Sequence, residues 1–436
     1  MNFANKLGQR VMVGAAIALA SGLVGFAGPA HAASTGALPM AKKALYVGAF
    51  VGNNTGCASP GYTSVQAAVN AAVNGKTVYL CGTNPYNEDV VVNNKIITLT
   101  GDPGATLAPG TAPTASQLPT AFNTDQLTIP QANLIVWGSA TTVTVTNLDL
   151  TGPFTSNSCT DEFYGVLAIS GGAVKMTNDK VANTVSGTPG DYGCQQGVGI
   201  QIGREYWPGA GTGNNCNGGY CVENFVGIGT LTSVQVTGYQ KNGMTIDGPG
   251  SSAKVTNSGV TGAGPTSPLG QIIAQNGIQV SRGALATLTG NNVAANQYSG
   301  TNNASATGIL LFGGCGDPLV TGVKISGNTL TNNDIGIGMY NYNTACTAVT
   351  TTPTKDSALT NNVSNSADTN VSGNGYPQGY QAGIADVGDG DSIIGNTISG
   401  CGYAVMNTPS MYSLPIDTSA DSNVTLKKNN TTGAHC

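Results

Sequence analysis

The feature that most constrains this chain is a pattern that its C-terminal half repeats. Residues 320–340 (VTGVKISGNTLTNNDIGIGMY) place short apolar runs around a turn containing Asn328, and residues 393–407 (IIGNTISGCGYAVMN) repeat the order around Asn396. Weaker copies are LTGNNV (288–293), ALTNNV (358–363) and LKKNNT (426–431). The interval between the two asparagines corresponds to about three units of roughly 20 to 25 residues, a period typical of solenoids.

Each unit holds strands of only three to five residues, separated by turns. Such a unit cannot bury its apolar side chains alone, so neighbouring units must stack to form a shared core. We therefore expect an all-β chain in which short strands stack coil upon coil.

The N-terminal segment, residues 1–32, has the features of a secretory signal peptide. Lys6 and Arg10 supply positive charge, residues 11–26 are apolar, and an A-x-A cleavage site ends at Ala32. A membrane anchor is the alternative, but it needs about 20 apolar residues and no cleavage signal. We expect cleavage after Ala32, a linker at 33–43, no membrane span in the remaining chain, and a secreted, extracellular protein.

The composition limits the possible partners. Charged residues make up 8% of the chain, against about 25% in ordinary soluble domains. The net charge of −5 argues against nucleic acid as a partner, because phosphate binding requires a basic stripe. We expect a monomer whose partner is an extracellular polysaccharide.

Ten cysteines in an exported chain favour disulfide bonds over metal ligands. The sequence does not determine their connectivity, and pairing in chain order is the simplest prediction because it closes short loops, which suits a solenoid. A zinc site is a weak alternative, since no C-x-x-C motif occurs and His435 is the one histidine left after signal cleavage. The predicted pairs are Cys57–Cys81, Cys159–Cys194, Cys216–Cys221, Cys315–Cys346 and Cys401–Cys436.

Residues 44–110 form a candidate N-terminal cap together with the first coils. Thr63 and Gln66 fit a capping box at the start of a short helix, and Gly75 is a candidate stop. The apolar face of this helix would consist of Val65, Val69, Ala72 and Val73. A helix here would cover the apolar side chains and unpaired strand groups at the open end of the first coil.

Residues 64–101, which contain S-V-Q-A-A-V-N-A-A, G-K-T-V-Y-L, Y-N-E-D-V-V-V and I-T-L-T-G in order, resemble the opening segment of the pectin-lyase-like superfamily. Residues 141–432 resemble the parallel β-helix repeats of that superfamily. The resemblance implies a single right-handed parallel β-helix of about ten coils with a short N-terminal capping helix. Repeats would then occupy 111–436, with a disulfide-rich loop insertion near 155–223. No activity is implied, because the scaffold carries lyases, hydrolases, esterases, epimerases, adhesins and non-enzymes.

The resemblance also accounts for the repeated asparagines, since in family members such residues stack into a ladder inside a turn. Asparagine tolerates left-handed backbone geometry, and its amide can replace a missing main-chain partner. We predict this structural role for Asn291, Asn328, Asn361 and Asn396.

The catalytic motifs of the superfamily are mostly absent. Polygalacturonases on this fold carry N-T-D, D-D, G-H-G and R-I-K, and only the first occurs here, at residues 123–125. The W-x-D-H and R-x-P-x-x-R motifs of the main pectate lyases and the D-P-H-E of alginate epimerases are missing as well. With His435 as the one histidine of the mature chain, a Ser–His or Cys–His nucleophile is nearly excluded.

One constellation emerges when the recurring Gly-apolar-x-apolar strands are aligned. Arg204, Asp247 and Arg282 follow these strands within one residue of each other, so stacking at about 4.8 Å per coil would place them in one row. Two guanidinium groups could grip uronate carboxylates, and an arginine or carboxylate could handle the C5 proton in β-elimination. The alternative is a ladder of salt bridges that holds the coils in register.

The alignment assigns a role to each candidate residue. The candidate catalytic residues are Arg204, Asp247, Arg282 and Glu205. The candidate substrate-binding residues are Gln201, Trp207, Gln279 and Tyr340. The positions predicted to point inward are Ile200, Ile202, Met244, Ile246, Ile278, Val280, Ile309 and Leu311. Trp207 is predicted to be exposed and able to stack on a sugar ring, whereas Trp137 is predicted to lie in the core.

Asp386, Asp389 and Asp391 form a second candidate site. Three carboxylates within six residues, separated by glycines, suit calcium, a hard cation that prefers oxygen ligands. The alternative is a solvated turn, since Asp-Gly pairs are common in turns. Calcium is the one cofactor that the sequence suggests. Elsewhere in the chain, Asp161 and Glu162 form a weaker candidate acidic pair.

These observations favour an exported protein that engages extracellular polysaccharide along the long face of the solenoid. The low charge and the missing catalytic motifs favour binding without catalysis. A polysaccharide lyase acting on uronate-containing chains by β-elimination is one alternative, and a structural cell-surface protein is another.

Overall fold

Short parallel strands dominate the part of the chain that the structure describes. In the computed structural model these residues are 44–110, 131–155, 159, 162–204, 225–301, 304–347, 349–365, 382–400, 403–407, 425–427 and 430–432. The predicted signal peptide and linker lie outside these ranges, as do Glu205, Trp207, Cys216, Cys221, Cys401 and Cys436.

The strands are numbered in chain order. The first sixteen are β1 (Ala44–Val47), β2 (Lys76–Leu80), β3 (Tyr86–Asn87), β4 (Val90–Asn93), β5 (Ile96–Gly101), β6 (Thr106–Ala108), β7 (Gln131–Trp137), β8 (Thr142–Thr146), β9 (Asp149–Thr151), β10 (Phe163–Ile169), β11 (Gly172–Thr177), β12 (Lys180–Ala182), β13 (Val198–Ile202), β14 (Gly227–Thr232), β15 (Gln235–Thr237) and β16 (Asn242–Asp247). The others are β17 (Ser252–Thr256), β18 (Gly259–Thr261), β19 (Asn276–Ser281), β20 (Leu285–Thr289), β21 (Asn292–Ala294), β22 (Thr307–Gly313), β23 (Lys324–Ser326), β24 (Thr329–Thr331), β25 (Ile335–Asn341), β26 (Ser357–Leu359), β27 (Asn362–Asn365), β28 (Ala382–Val387), β29 (Ser392–Ile394), β30 (Thr397–Gly400), β31 (Tyr403–Asn407), β32 (Thr425–Lys427) and β33 (Asn430–Thr432).

Helical structure is scarce within the same ranges. It comprises helix α1 (Val65–Ala71), helix α2 (Pro268–Ile272) and one turn of 3₁₀ helix (Pro189–Asp191). No helix in the described ranges has the length and hydrophobicity that crossing a bilayer requires.

The strands form three sheets in which all neighbours are parallel. The first sheet has twelve strands in the order β1-β2-β5-β8-β11-β14-β17-β20-β23-β26-β29-β32. The second has eleven, β3-β6-β9-β12-β15-β18-β21-β24-β27-β30-β33, and the third has ten, β4-β7-β10-β13-β16-β19-β22-β25-β28-β31. From β2 onward the chain visits the three sheets in turn, so the described strands make ten complete coils. The predicted all-β, right-handed parallel β-helix is therefore confirmed, with the crossover hand that parallel strands adopt.

In-register stacking directs alternate side chains into the interior of the coils. In the third sheet, Ile200 pairs with Met244, which pairs with Ile278 and then with Ile309. All eight residues predicted to point inward are at most 1% exposed and belong to one apolar core that follows the solenoid axis. Because each coil buries its apolar residues against the next, the core exists only when the coils are stacked.

Helix α1 packs against β1, β2 and β4, but its cap differs from the prediction. The N-cap is Ser64, whose side chain accepts from the amide of the third helical residue, so the box predicted from Thr63 to Gln66 was wrong by one residue. The carboxylate of Glu88 accepts two backbone N–H groups of the first turn, at 2.8 and 2.9 Å. Val73, predicted on the buried face, lies beyond the end of the helix and is 64% exposed.

The predicted asparagine ladder is confirmed. Its rungs join Asn291 to Asn328, Asn328 to Asn361, and Asn361 to Asn396. In each rung, the backbone N and Nδ2 of one asparagine both donate to Oδ1 of the next, at 2.8–3.0 Å. A second, shorter ladder joins Asn296 to Asn333 in the same way, and sequence analysis missed it.

Within the residues that the structure describes, three disulfide bonds link nearby parts of the chain. They are Cys57–Cys81, Cys159–Cys194 and Cys315–Cys346, with sequence separations of 24, 35 and 31 residues. All three agree with pairing in chain order. The second bond lies in the range 155–223, which was expected to be a loop insertion but contains four coil strands, β10 to β13.

Trp137 is buried, but it lies outside the interior of the coils. It ends β7 beside Ile169 of the next coil, and both belong to an apolar cluster on the outer face of the third sheet. The prediction that Trp137 lies in the core is confirmed, and its core cluster lies on the outer face of the sheet because Trp137 follows the inward-pointing Val136 and strand side chains alternate between faces.

Candidate functional site

The predicted row of charges lies along the edge of the third sheet where its strands end. Strands β13, β16 and β19 are consecutive neighbours, as the alignment assumed. Asp247 pairs in register with Ser281, and Arg204 and Arg282 each lie one position further along. The structure therefore places Arg204, Asp247 and Arg282 within one register position of each other.

The charges of this row are paired and mostly buried. Arg282 Nη2 donates to Asp247 Oδ2 at 2.8 Å, and Arg204 forms an ion pair with Glu162. The side chain of Asp247 is 3% exposed and that of Arg204 is 8% exposed, whereas that of Arg282 is 21% exposed. Tyr164 Oη donates to Glu162 Oε2 at 2.8 Å, so Glu162 joins two side chains that sequence analysis had not connected.

The surroundings of Arg204 favour its protonated form. Burial lowers the pKa of the Arg204 guanidinium, but Tyr164, Glu162 and Asp247 together outweigh it and raise the pKa above its usual value. Asp247 Oδ1 also accepts a hydrogen bond from Ser281 Oγ at 2.8 Å. An arginine held protonated and a carboxylate engaged by two donors are both poorly suited to removing a proton from a substrate.

A network of amides leads from Ser281 across the outer face of the sheet. Gln279 Nε2 donates to Ser281 Oγ at 3.0 Å, and Gln279 Oε1 accepts from Nδ2 of Asn242 (3.1 Å) and of Asn276 (3.2 Å). Asn242 Nδ2 also donates to Thr245 Oγ1 at 3.0 Å. These bonds hold the Gln279 side chain in one orientation while leaving it half-buried, so a ligand would meet a pre-arranged amide.

Next to this network, the outer face of the third sheet is partly open. The open patch consists of the half-buried residues Gln279, Arg282, Leu310, Phe312 and Tyr340. Gln279 pairs in register with Leu310, and Phe312 pairs with Tyr340, so the patch spans strands β19, β22 and β25. The patch thus carries two aromatic rings, an amide and a guanidinium on neighbouring strands. Sequence analysis had included three of the five residues but missed Leu310 and Phe312.

The position of Tyr340 depends on the glycine beside it. A Cβ atom on Gly338 would lie 2.9 Å from the Tyr340 ring, so only glycine leaves room for the ring over the strand. Tyr340 also packs against Ile335, Ala382 and Ala385 and stacks near Tyr342, with ring centroids 6.5 Å apart. Gln201, by contrast, is 5% exposed and its Nε2 donates to Gly203 O at 2.7 Å, which places it beneath the surface.

The three aspartates of the predicted calcium site are buried. Asp386 and Asp391 are 0% exposed and Asp389 is 8% exposed, so the alternative of a solvated turn is wrong. Asp391 Oδ1 accepts from Thr354 Oγ1 and from Asp356 N, both at 2.7 Å, and so ties one coil to the next. Burial, and then the charge of Asp391, raise the pKa of Asp356 to about 8.

In the described residues, the carboxylate oxygens of these three aspartates do not lie close enough together to form a metal site. In those residues, the one group of three possible ligands with ligand atoms within 4.8 Å of each other is Cys57, Cys81 and Asp102. Its two cysteines form a disulfide bond, so they are not metal ligands. Calcium binding at 386–391 stays a prediction that the described geometry does not favour.

Comparison with known proteins adds information on the fold alone. The sequence matches no described protein family and no curated protein. Among solved structures, XylC in complex with xylose is 12% identical, with 84% of this chain and 70% of that chain covered and a TM-score of 0.46. The surface protein and adhesin PfbA of Streptococcus pneumoniae is 12% identical over 85% of this chain and 94% of that chain, with a TM-score of 0.38. An alginate lyase from Paenibacillus sp. is 13% identical over 89% of this chain and 100% of that chain, with a TM-score of 0.33.

The three parallel sheets themselves establish a parallel β-helix, which is the fold that the resemblance to the pectin-lyase-like superfamily implied. Because these TM-scores are all below 0.5, the activities named for the three proteins carry no argument for this chain.

Proposed function

We propose that this protein is secreted and binds extracellular polysaccharide at the open patch, without cleaving it. The observation that carries the proposal is the chemistry of the patch, where Phe312 and Tyr340 lie beside Gln279 and Arg282 on a rigid sheet. Aromatic faces pack against the C–H surfaces of sugar rings, while amide and guanidinium groups donate hydrogen bonds to hydroxyl or carboxylate oxygens. The amide network already orders Gln279, so little side-chain entropy is lost on binding.

The pairing of the charges favours binding over catalysis. A β-elimination needs a base that reaches the sugar C5 proton, but Arg282 donates to Asp247, and Asp247 is 2% exposed. Arg204 already pairs with Glu162 and is buried. These contacts fit the alternative role of holding adjacent coils in register, so we assign no proton transfer to Arg204, Asp247 or Arg282.

The proposal is tested by titrating the purified protein with a panel of soluble polysaccharides in a calorimeter. Tyr340→Ala is expected to weaken binding roughly fivefold to tenfold, because one stacked aromatic ring contributes on the order of 1 kcal/mol. Asn292→Ala is the matched control, since Asn292 is exposed on the second sheet, away from the patch. An equal affinity in Tyr340→Ala and in the control would refute the assignment of binding to the patch.

The same samples decide between binding and cleavage. Ultraviolet absorbance of the unsaturated uronate product is followed during incubation with uronate-containing polysaccharides, with calcium and with chelator. We expect no rise in absorbance. A rise that disappears in Arg282→Ala would replace the binding proposal with the lyase alternative.

A further inference from the structure

The outer face of the first sheet carries a regular arrangement of lysines. In the strands β8, β11, β14, β17, β20 and β23, one outward position is in register from each coil to the next. We call these positions the lysine row, and its members are Thr144, Lys175, Thr230, Lys254, Thr287 and Lys324. Lysine therefore recurs in every second coil, and all three lysines are exposed.

Two further rows flank the lysine row on the same face. On one side are half-buried threonine and serine residues, one per coil: Thr146, Thr177, Thr232, Thr256, Thr289 and Ser326. The hydroxyl group of Thr256 is itself buried, and those of Thr289 and Ser326 share a hydrogen bond of 3.3 Å. On the other side are two exposed apolar residues, Ile228 (44% exposed) and Leu285 (49% exposed). Positive charge thus lies between hydrogen-bonding groups and apolar surface along a narrow strip.

This strip stands out from the charge of the whole chain. The protein has a formal net charge of −5 and only 16 lysines and arginines. None of the six strands that form the strip contains an aspartate or a glutamate. The strip is therefore a linear positive feature on an acidic protein, and a complementary ligand would be a linear anion.

The spacing of the lysines indicates what kind of anion fits. Neighbouring parallel strands lie about 4.8 Å apart, so lysines in alternate coils are about 9.6 Å apart. That interval is comparable with the screening length in physiological salt, so the three lysines repel each other only weakly when no ligand is bound. An extended polysaccharide with an acidic group on every second sugar presents anions at a similar interval, together with hydroxyl and C–H surfaces.

We propose that the lysine row is a docking surface for a linear acidic polysaccharide that lies along the solenoid axis. Lys175, Lys254 and Lys324 would each meet an anionic group, while the hydroxyl groups of Thr146, Thr177 and Thr232 would bond sugar hydroxyls beside them. The surface is on a different sheet from the open patch, so the inference does not depend on the function proposed above.

The test compares two charge-matched double variants of the full secreted chain. Lys175→Gln with Lys254→Gln removes two members of the row, and Lys180→Gln with Lys355→Gln removes two exposed lysines that lie elsewhere. Binding to hyaluronan, to chondroitin sulfate, to neutral dextran and to a single-stranded DNA oligonucleotide is measured over a range of salt concentrations. Hyaluronan carries one carboxylate on every second sugar and no sulfate, whereas chondroitin sulfate adds a sulfate, so the two polymers show whether the carboxylate alone is recognised.

We expect the row variant to bind acidic polysaccharide roughly tenfold more weakly than the wild type, with a shallower salt dependence, while the control variant is unchanged. If both variants lose the same amount of affinity, net charge alone explains the binding and the proposal is overturned. The proposal is also overturned if neither variant loses affinity. DNA binding of equal strength at equal salt would also overturn it, because the row would then recognise charge alone. If Tyr340→Ala abolishes binding of acidic polysaccharide while the row variant retains it, the ligand belongs to the open patch and the lysine row has no such role.

Discussion

Replacement of Asn328 by alanine tests what holds the coils together at the ladder turn. The Asn328 side chain is 1% exposed and makes four hydrogen bonds to three neighbours. Its Oδ1 accepts from N and Nδ2 of Asn291 at 2.8 and 2.9 Å, and its Nδ2 donates to Leu288 O at 3.0 Å and to Asn361 Oδ1 at 2.9 Å. Alanine removes all four bonds and leaves the Asn291 N–H and the Leu288 carbonyl buried without this partner.

The structure sets the size of the expected effect. A buried polar group that loses its partner costs about 1–3 kcal/mol, so two main-chain groups together with the broken rungs give a loss of about 4 kcal/mol. For 436 residues the unfolding entropy is on the order of 0.9 kcal/mol/K, so the expected decrease in melting temperature is about 4 °C.

Differential scanning calorimetry of three variants checks this reasoning. Asn292→Ala is the control, because Asn292 is the exposed residue next to Asn291 in the ladder, and we expect its melting temperature to change by less than about 1 °C. Asn328→Asp keeps the oxygen acceptors but loses the amide donors and buries a charge, so its stability is expected to recover in acid. A melting temperature for Asn328→Ala equal to that of the control would refute the idea that the ladder stabilises the stack.

Three other perturbations have defined outcomes. Burial raises the pKa of Asp89 from 3.8 to about 7, so the unfolding free energy falls as pH rises between about 4 and 7. Asp89→Asn should make this slope shallower and add at most about 4 kcal/mol at alkaline pH, as thermal melts across that range would show. Part of the slope should persist, because burial also raises the pKa of Asp179 to about 7 and that of Asp356 to about 8. Glu162→Gln removes the ion-pair partner of the buried Arg204. We expect the free energy of unfolding, measured with denaturant, to fall by about 3 kcal/mol. A decrease no larger than that of a surface variant would contradict the pairing. Replacing both Cys57 and Cys81 by serine opens a loop of 24 residues and should cost about 3 kcal/mol, with reduction of the wild type as the comparison.

The repeats in the sequence were sufficient to predict the coil. Inward residues such as Met244 and Ile278 follow from alternation along a strand, and the ladder from Asn291 to Asn396 follows from its equivalent position in each repeat. Both features arise from the local period of the chain, which does not depend on what lies in neighbouring coils. The cap of α1 was misplaced because its second acceptor, Glu88, lies beyond β2 and β3 in the chain and meets the helix only in the folded protein.

The contacts within the candidate site could be identified only from the tertiary structure. The sequence placed Arg204, Asp247 and Arg282 in one row, but it did not show that Glu162, at the start of the preceding coil strand β10, neutralises Arg204. Nor did it show that Ser281 and Arg282 both donate to Asp247. These contacts join side chains of different coils, so they depend on how the coils stack.

The lysine row shows why such features are invisible in the sequence alone. Lys175, Lys254 and Lys324 are separated by unequal stretches of chain, because the turns of the coils between them differ in length. Turn length has no effect on which strands become neighbours, so unequal sequence intervals become equal spatial ones only after the coils have stacked. The sequence by itself determined a parallel β-helix with an apolar interior and an asparagine ladder in its turns. Stacking decided which charges meet on its faces, because register between coils is a property of the assembled solenoid.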